Sequence, residues 1–283
     1  MMKIHKIETG NFKLDGGAMF GVVPKTLWNK VYPADENNLC NLSMRCMLVE
    51  TDDRKILIDT GIGDKQGEKF FSYYYLNGTH SLNSSLQAVN IRYDAITDVI
   101  LTHLHFDHCG GAVKKNKDGN YNLTFPNATY WVSRKQWQWA MHPNQREKAS
   151  YLQENFELLQ ESRKLCFIDD GGSFAQGIEL RLYNGHSEGL IIPFIQYKGR
   201  TLVFMADLIP TVAHIPESWI CGYDTQPLVS MKERKQFLTE AWQHQYILFF
   251  EHDIANECCI LQDTEKGIRM GRSFSFEEFL VEV

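Results

Sequence analysis

Three histidines and an aspartate stand within six residues, His103, His105, Asp107 and His108, directly after the apolar run Val99-Ile100-Leu101 and just before Cys109-Gly110-Gly111. In an extended stretch leaving a strand, residues i and i+2 point the same way, so His103 and His105 converge on one point. Asp107 and His108, where the chain turns, face a second point beside it. Imidazole nitrogen and carboxylate oxygen suit zinc and neighbouring first-row metals, and a catalytic ion keeps an open position for water. A solvated polar turn is the bland alternative. If the motif does bind metal, the fold must deliver it from a strand end and bring further ligands from elsewhere.

Those ligands are available at other strand ends. His186 lies in Asn184-Gly185-His186-Ser187-Glu188-Gly189, Asp207 follows Val203-Phe204-Met205-Ala206, and His252 follows Ile247-Leu248-Phe249-Phe250-Glu251. Asp59, after Ile56-Leu57-Ile58, sits in the same kind of place, either as a turn residue or as a support that orients a ligand from behind. His214, seven residues beyond Asp207, is either a packing histidine or a substrate contact and proton donor.

Strand signals dominate: 2–7, 44–50, 55–59, 98–101, 129–132, 178–183, 190–197, 201–205 and 246–250. A helix is predicted over 145–164, where Leu152, Phe156 and Leu159 recur on one face. A second is predicted over 231–243, with Ser230 and Glu233 as a capping box and Phe237, Leu238, Ala241 and Trp242 turned inward. A shorter one covers 83–89. Interleaving of this kind suggests sheets covered by helices, an α/β class. No repeat or linker divides the chain, so residues 1–283 are expected to form a single domain.

With 43% hydrophobic and 23% charged residues the chain can bury a core. Lysine plus arginine number 29 against 35 acidic residues, so nothing draws the surface to phosphate backbones or anionic lipid, and nucleic acid and membrane are not expected partners. The N-terminal MMKIHKIETG lacks a signal-peptide core, and no run approaches the roughly 18 apolar residues of a membrane helix. A cytoplasmic location is therefore expected. The seven cysteines are odd in number and scattered, and read as reduced thiols, with Cys258 and Cys259 as buried small hydrophobes. Met19 and Phe20, in a glycine-hinged segment, and Tyr73 to Tyr75, after the Asp59 loop, are candidates to roof an apolar pocket.

The succession LIDTG, THLHFDHCGG, GHSEG, FMAD and EHD resembles the metallo-β-lactamase superfamily, over most of the chain from Asp59 to His252. The resemblance implies a four-layer αβ/βα sandwich with two divalent ions, zinc first and iron or manganese as alternatives, at the edge of facing sheets. It implies His103, His105 and His186 on the first ion, Asp107, His108 and His252 on the second, and Asp207 as the bridging carboxylate. Asp59 matches the family's first-motif aspartate. The set with Asp207 is similar to the dinuclear hydrolase branch that includes N-acyl-homoserine lactonases, methyl parathion hydrolase and glyoxalase II. The commonest true β-lactamases carry a cysteine where this chain has Asp207. The lactonases place a tyrosine three residues after the bridging aspartate, and this chain has Pro210 there.

The function implied is hydrolysis of an ester-like bond, a lactone or related ester, in a small molecule. A metal-bridging hydroxide would attack, with Asp107 also holding it in line. A glyoxalase II-like thioesterase, a phosphotriester or phosphodiester hydrolase, and a non-catalytic metal-stabilised scaffold are the alternatives.

Overall fold

The computed structural model describes residues 2–282. The chain gathers into two compact units, one of Met1–Phe12 with Ser43–Asp169, the other of Lys13–Leu42 with Asp170–Val283.

Among the described residues, a six-stranded sheet of β1 (Lys3–Asp15), β2 (Leu39–Glu50), β3 (Lys55–Ile58), β4 (Asp98–Ile100), β7 (Thr129–Ser133) and β8 (Leu165–Ile168), in that order, belongs to the first unit except for the last three residues of β1 and the first four of β2. A small hairpin, β5 (Val113–Lys115) with β6 (Tyr121–Leu123), stands apart. β3, β4, β7 and β8 run parallel, so their connections return over the sheet through short helices, among them Leu82–Ala88 and Arg134–Met141. The core packs Leu48, Leu57 and Val99 from the strands, and Leu101 just after β4, against Leu86, Trp137, Phe156 and Leu159. Because β3 and β4 are parallel, the residues that follow them, Asp59 and Thr102-His103, emerge at the same edge, where open parallel sheets place their ligands.

The second unit carries a seven-stranded sheet in the order β15 (Gly267–Phe274), β14 (Cys258–Thr264), β13 (Ile247–Phe249), β12 (Arg200–Phe204), β11 (Leu190–Tyr197), β10 (Ile178–Tyr183) and β9 (Gly172–Ala175). β11 is buried at every position but Gln196, which explains its apolar run from Leu190 to Ile195. β10 and β12 both run antiparallel to β11, and β13 runs parallel to β12, so β10, β12 and β13 share one direction. Their following residues, His186, Asp207 and His252, therefore leave at one edge. The crossover from β12 to β13 is the helix Pro227–Gln243, which sets Phe237 against Phe194.

Two helix expectations need correction. The helix expected over 145–164 is instead two single turns, Lys148–Ser150 and Gln153–Asn155, and a short helix, Glu157–Glu161. Tyr151 and Leu152 between them are extended, and Asn144 accepts the Arg146 and Glu147 amides in a side-chain turn. Tertiary bonds here outweigh the i, i+4 pattern, although Phe156 and Leu159 are buried as the pattern requires. The helix expected from Met231 begins a turn earlier at Pro227, whose fixed φ suits the first helical position, and Ser230 lies inside it. Glu233 caps nothing in its own helix; its carboxylate accepts the backbone amides of Asn184 and Gly185. The hairpin β14–β15 and the helix Phe276–Glu282 carry no signal that the sequence reading caught. Cys258 and Cys259 are buried in β14, all seven cysteines are free, and no described helix is long and apolar enough to cross a membrane.

Candidate metal centre

In the first unit, Asp59 follows β3 with a left-handed backbone, φ 58°, unusual for a residue with a side chain. That conformation turns its carboxylate under the next loop. One oxygen accepts the Thr102 amide at 2.8 Å, and the other accepts the Thr102 hydroxyl at 2.6 Å and faces His108 Nδ1 at 3.1 Å. Asp59 thus fixes the start and the end of the histidine motif together. His105 caps a one-turn helix, Phe106–Cys109, which swings Asp107 and His108 round, and His108 Nε2 lies 3.7 Å from Asp107 Oδ2. His103 Nε2 and His105 Nδ1 are 3.0 Å apart, so the two side chains converge as alternation predicts. The Lys65 ammonium, buried and pushed down to about 8 by desolvation, donates to the Gly110 carbonyl just beyond His108.

In the second unit, His186 sits in a loop pinned from both sides. Glu233 holds the amides of Asn184 and Gly185, and the Thr225 amide and hydroxyl donate to the His186 carbonyl at 3.0 Å. Gly185 packs so closely on the helix behind it that a Cβ there would stand 2.3 to 2.4 Å from Ser230 atoms. His186 Nδ1 meets Asp224 Oδ1 at 2.9 Å, which leaves Nε2 as the outward donor. Asp207 follows Ala206, whose φ is 39°, another left-handed residue at a strand end. The Asp207 oxygens face different histidines, Oδ2 to His186 Nε2 at 3.2 Å and Oδ1 to His252 Nε2 at 3.1 Å.

These spacings fit metal coordination. Two atoms each about 2.0–2.1 Å from one tetrahedral ion stand about 3.3 Å apart. Both contacts of Asp207 are near that length, one on each oxygen. The protons of the first unit agree. Thr102 gives its only hydroxyl proton to Asp59, so it accepts from His103 Nδ1 at 3.1 Å, and His103 Nε2 is left as a bare lone pair.

His214 lies inside the second unit. It is fully buried, its Nε2 meets the Met19 carbonyl at 2.9 Å, its Nδ1 meets Thr211 Oγ1 at 2.7 Å, and its ring stacks on Phe20 at 4.6 Å. Burial pushes its pKa down to about 4. With both ring nitrogens engaged it braces the second unit, in keeping with the packing alternative of the sequence reading. Met19 and Phe20 are likewise buried, at 3% and 1% exposure, because Asp15 caps the short helix Gly16–Phe20 and turns Phe20 onto Trp28 and His214. Tyr73 and Tyr75 are exposed, while Tyr74 packs 4.6 Å from Phe106, between His105 and Asp107 in the chain. Sequence reading missed Asp224, Glu233 and Lys65. Glu233 had been assigned to a helix cap, and the other two carry no spacing signal.

A family model described as the metallo-beta-lactamase superfamily matches residues 45–117. The chain is 26% identical over 233 residues to an N-acyl homoserine lactonase of Bacillus thuringiensis, covering 77% of this chain and 84% of that protein. Among solved structures, a probable metal-dependent hydrolase from Staphylococcus aureus is 33% identical, with a TM-score of 0.86 over 97% of this chain and 98% of that one. A dizinc quorum-quenching lactonase, solved with a product bound, shares the fold at a TM-score of 0.80 and 22% identity, over 97% of this chain and 95% of that one.

Proposed function

This chain belongs to the metallo-β-lactamase superfamily, and from that premise we propose that it is a dinuclear metal-dependent hydrolase of small-molecule esters, lactones foremost, its two units working as one catalytic domain. Asp207 carries the reading: each of its oxygens addresses a different imidazole at a ligand-to-ligand distance. In this reading His103, His105 and His186 hold one ion, Asp107, His108 and His252 hold the other, and Asp207 is shared. An all-nitrogen and carboxylate donor set favours zinc, with iron or manganese as alternatives.

Bound there, two such ions would supply Lewis acidity and a water acidic enough to act as a nucleophile near neutral pH. The chain's own work is to hold its donors in place. Asp59 and Asp224 fix His108 and His186 through their Nδ1 atoms, so that Nε2 of each faces the centre. Asp107 orients the attacking water and accepts its proton. Pro210 stands where the lactonases place a tyrosine, so no hydroxyl orients the substrate from that position. His214 takes no part. Seven free thiols suit the cytoplasm.

The lactone preference is supported by the N-acyl homoserine lactonase relatives at 26% identity. A panel of N-acyl homoserine lactones, thioesters, phosphotriesters and β-lactams, assayed with and without chelator, tests it. Lactones should give the highest kcat/KM, chelation should abolish it, and zinc should restore it. A faster thioester or phosphotriester reaction would overturn the substrate class, and chelator-resistant activity would overturn the metal chemistry.

A further inference from the structure

A buried carboxylate outside every motif of the site lies against one of the candidate ligands. Glu147 is 4% exposed and belongs to the irregular stretch where a helix was expected. Its Oε1 lies 2.9 Å from His105 Nε2 and accepts the Tyr151 hydroxyl at 2.8 Å, while Oε2 accepts Trp139 Nε1 at 2.5 Å and Asn144 Nδ2 at 3.2 Å. We infer that Glu147 is a positioning residue for the metal centre: it accepts the Nε2 proton of His105 and so commits Nδ1 to the metal. This rests on the metal-hydrolase reading above and adds to it a residue that no motif contains.

The argument is one of protons. Trp139 Nε1 and Asn144 Nδ2 can only donate and the Tyr151 hydroxyl donates, so the Glu147 oxygens accept from three neighbours. A carboxylate ringed by donors accepts from its fourth neighbour too, so the nitrogen of His105 that faces it carries the hydrogen. Neutral imidazole has one hydrogen, and Nδ1 is therefore a bare lone pair. That lone pair points at His103 Nε2, 3.0 Å away, which the Asp59–Thr102 chain has also stripped of its hydrogen. Two lone pairs held face to face repel, and a cation bound by both removes the repulsion.

The surroundings hold Glu147 to this task. Asn144 accepts the Glu147 amide while its own amide donates to the carboxylate, so one residue fixes both ends of the side chain. Gln136 Oε1 accepts the Leu104 amide, between the two histidines, and lies 3.1 Å from the Tyr151 hydroxyl. A regular helix through 145–151 would break this arrangement, which is a physical reason for the chain to abandon its helical pattern there.

The test uses the full chain and zinc. In the zinc-loaded parent, nitrogen NMR of His105 should show the proton on Nε2 and the metal on Nδ1. Glu147→Gln keeps the shape and removes the charge; zinc affinity, read by competition with a chromophoric chelator, should fall about 10- to 100-fold. Tyr151→Phe removes a donor but leaves the carboxylate, and should fall by a smaller factor. A parent with the proton on Nδ1, or a folded Glu147→Gln that binds zinc as tightly as the parent, overturns the inference alone. A parent that binds no zinc overturns it together with the metal-hydrolase reading. If Glu147→Gln does not fold, the parent spectrum still decides.

Discussion

His214 shows how a single side chain changes meaning between sequence and structure. Seven residues past Asp207 it is as plausible a proton donor as a packing group, and its burial and two occupied nitrogens favour the packing group. His214→Gln should keep the metal content and leave kcat/KM within about threefold, while lowering stability by about 1–3 kcal/mol. The pH dependence has a definite sign. The native ring titrates at about 4 and the unfolded one near 6.5, so between those values the unfolded state binds more protons. Its contribution is complete above about 6.5 and is lost as pH falls towards 4, to a limit of about 3 kcal/mol. Urea melts of the metal-free protein across that window, with His214→Gln as reference, should show the parent's extra acid sensitivity; parallel curves would contradict it. Asp207→Ala should weaken both ions together, whereas His186→Ala should weaken one, as metal analysis after dialysis will show. Two tightly held ions in Asp207→Ala would remove Asp207 from the bridge. The candidate ligands were legible because they lie in short motifs directly after apolar runs. Asp224 and Glu147 were not, since an isolated acid in a loop has no local spacing to mark it and gains its meaning from what folds against it.

At the level of elements, strands were read well where apolar runs mark them, as in Cys46–Val49 of β2 and Leu190–Ile195 of β11, which are buried at every position. Helix boundaries were read less well. Ser230 and Glu233 form a plausible capping box in sequence, but Pro227 starts the helix earlier and leaves Glu233 to hold the His186 loop. The segment 145–164 has a helical face, yet the bonds of Asn144 and Glu147 dominate it. The clearest test at this scale is the contact of the His186 loop with the helix behind it. Gly185→Ala would drive a methyl into backbone atoms of Ser230 and should cost about 2–4 kcal/mol, with loss of metal from the His186 side. A variant as stable and as metal-replete as the parent, by thermal melting and elemental analysis, would show that the loop does not need that contact.

For the whole molecule, each unit supplies part of the proposed donor set from one edge of its own sheet: His103, His105, Asp107 and His108 from the first, His186, Asp207 and His252 from the second. Ions bound by the native state alone add to its stability. Zinc at about a thousand times its dissociation constant contributes about 4 kcal/mol and should raise the unfolding midpoint by about 10 °C over chelated protein, measured by scanning calorimetry. Equal midpoints would mean that metal does not bind the folded chain preferentially. The decisive measurement is anomalous X-ray scattering at the zinc edge from crystals of the zinc-loaded protein. Two peaks should appear, with Asp207 between them, one at about 2.0–2.2 Å from donor atoms of His103, His105 and His186 and the other from those of Asp107, His108 and His252. A single peak, or peaks away from these residues, would contradict a dinuclear hydrolase built on them.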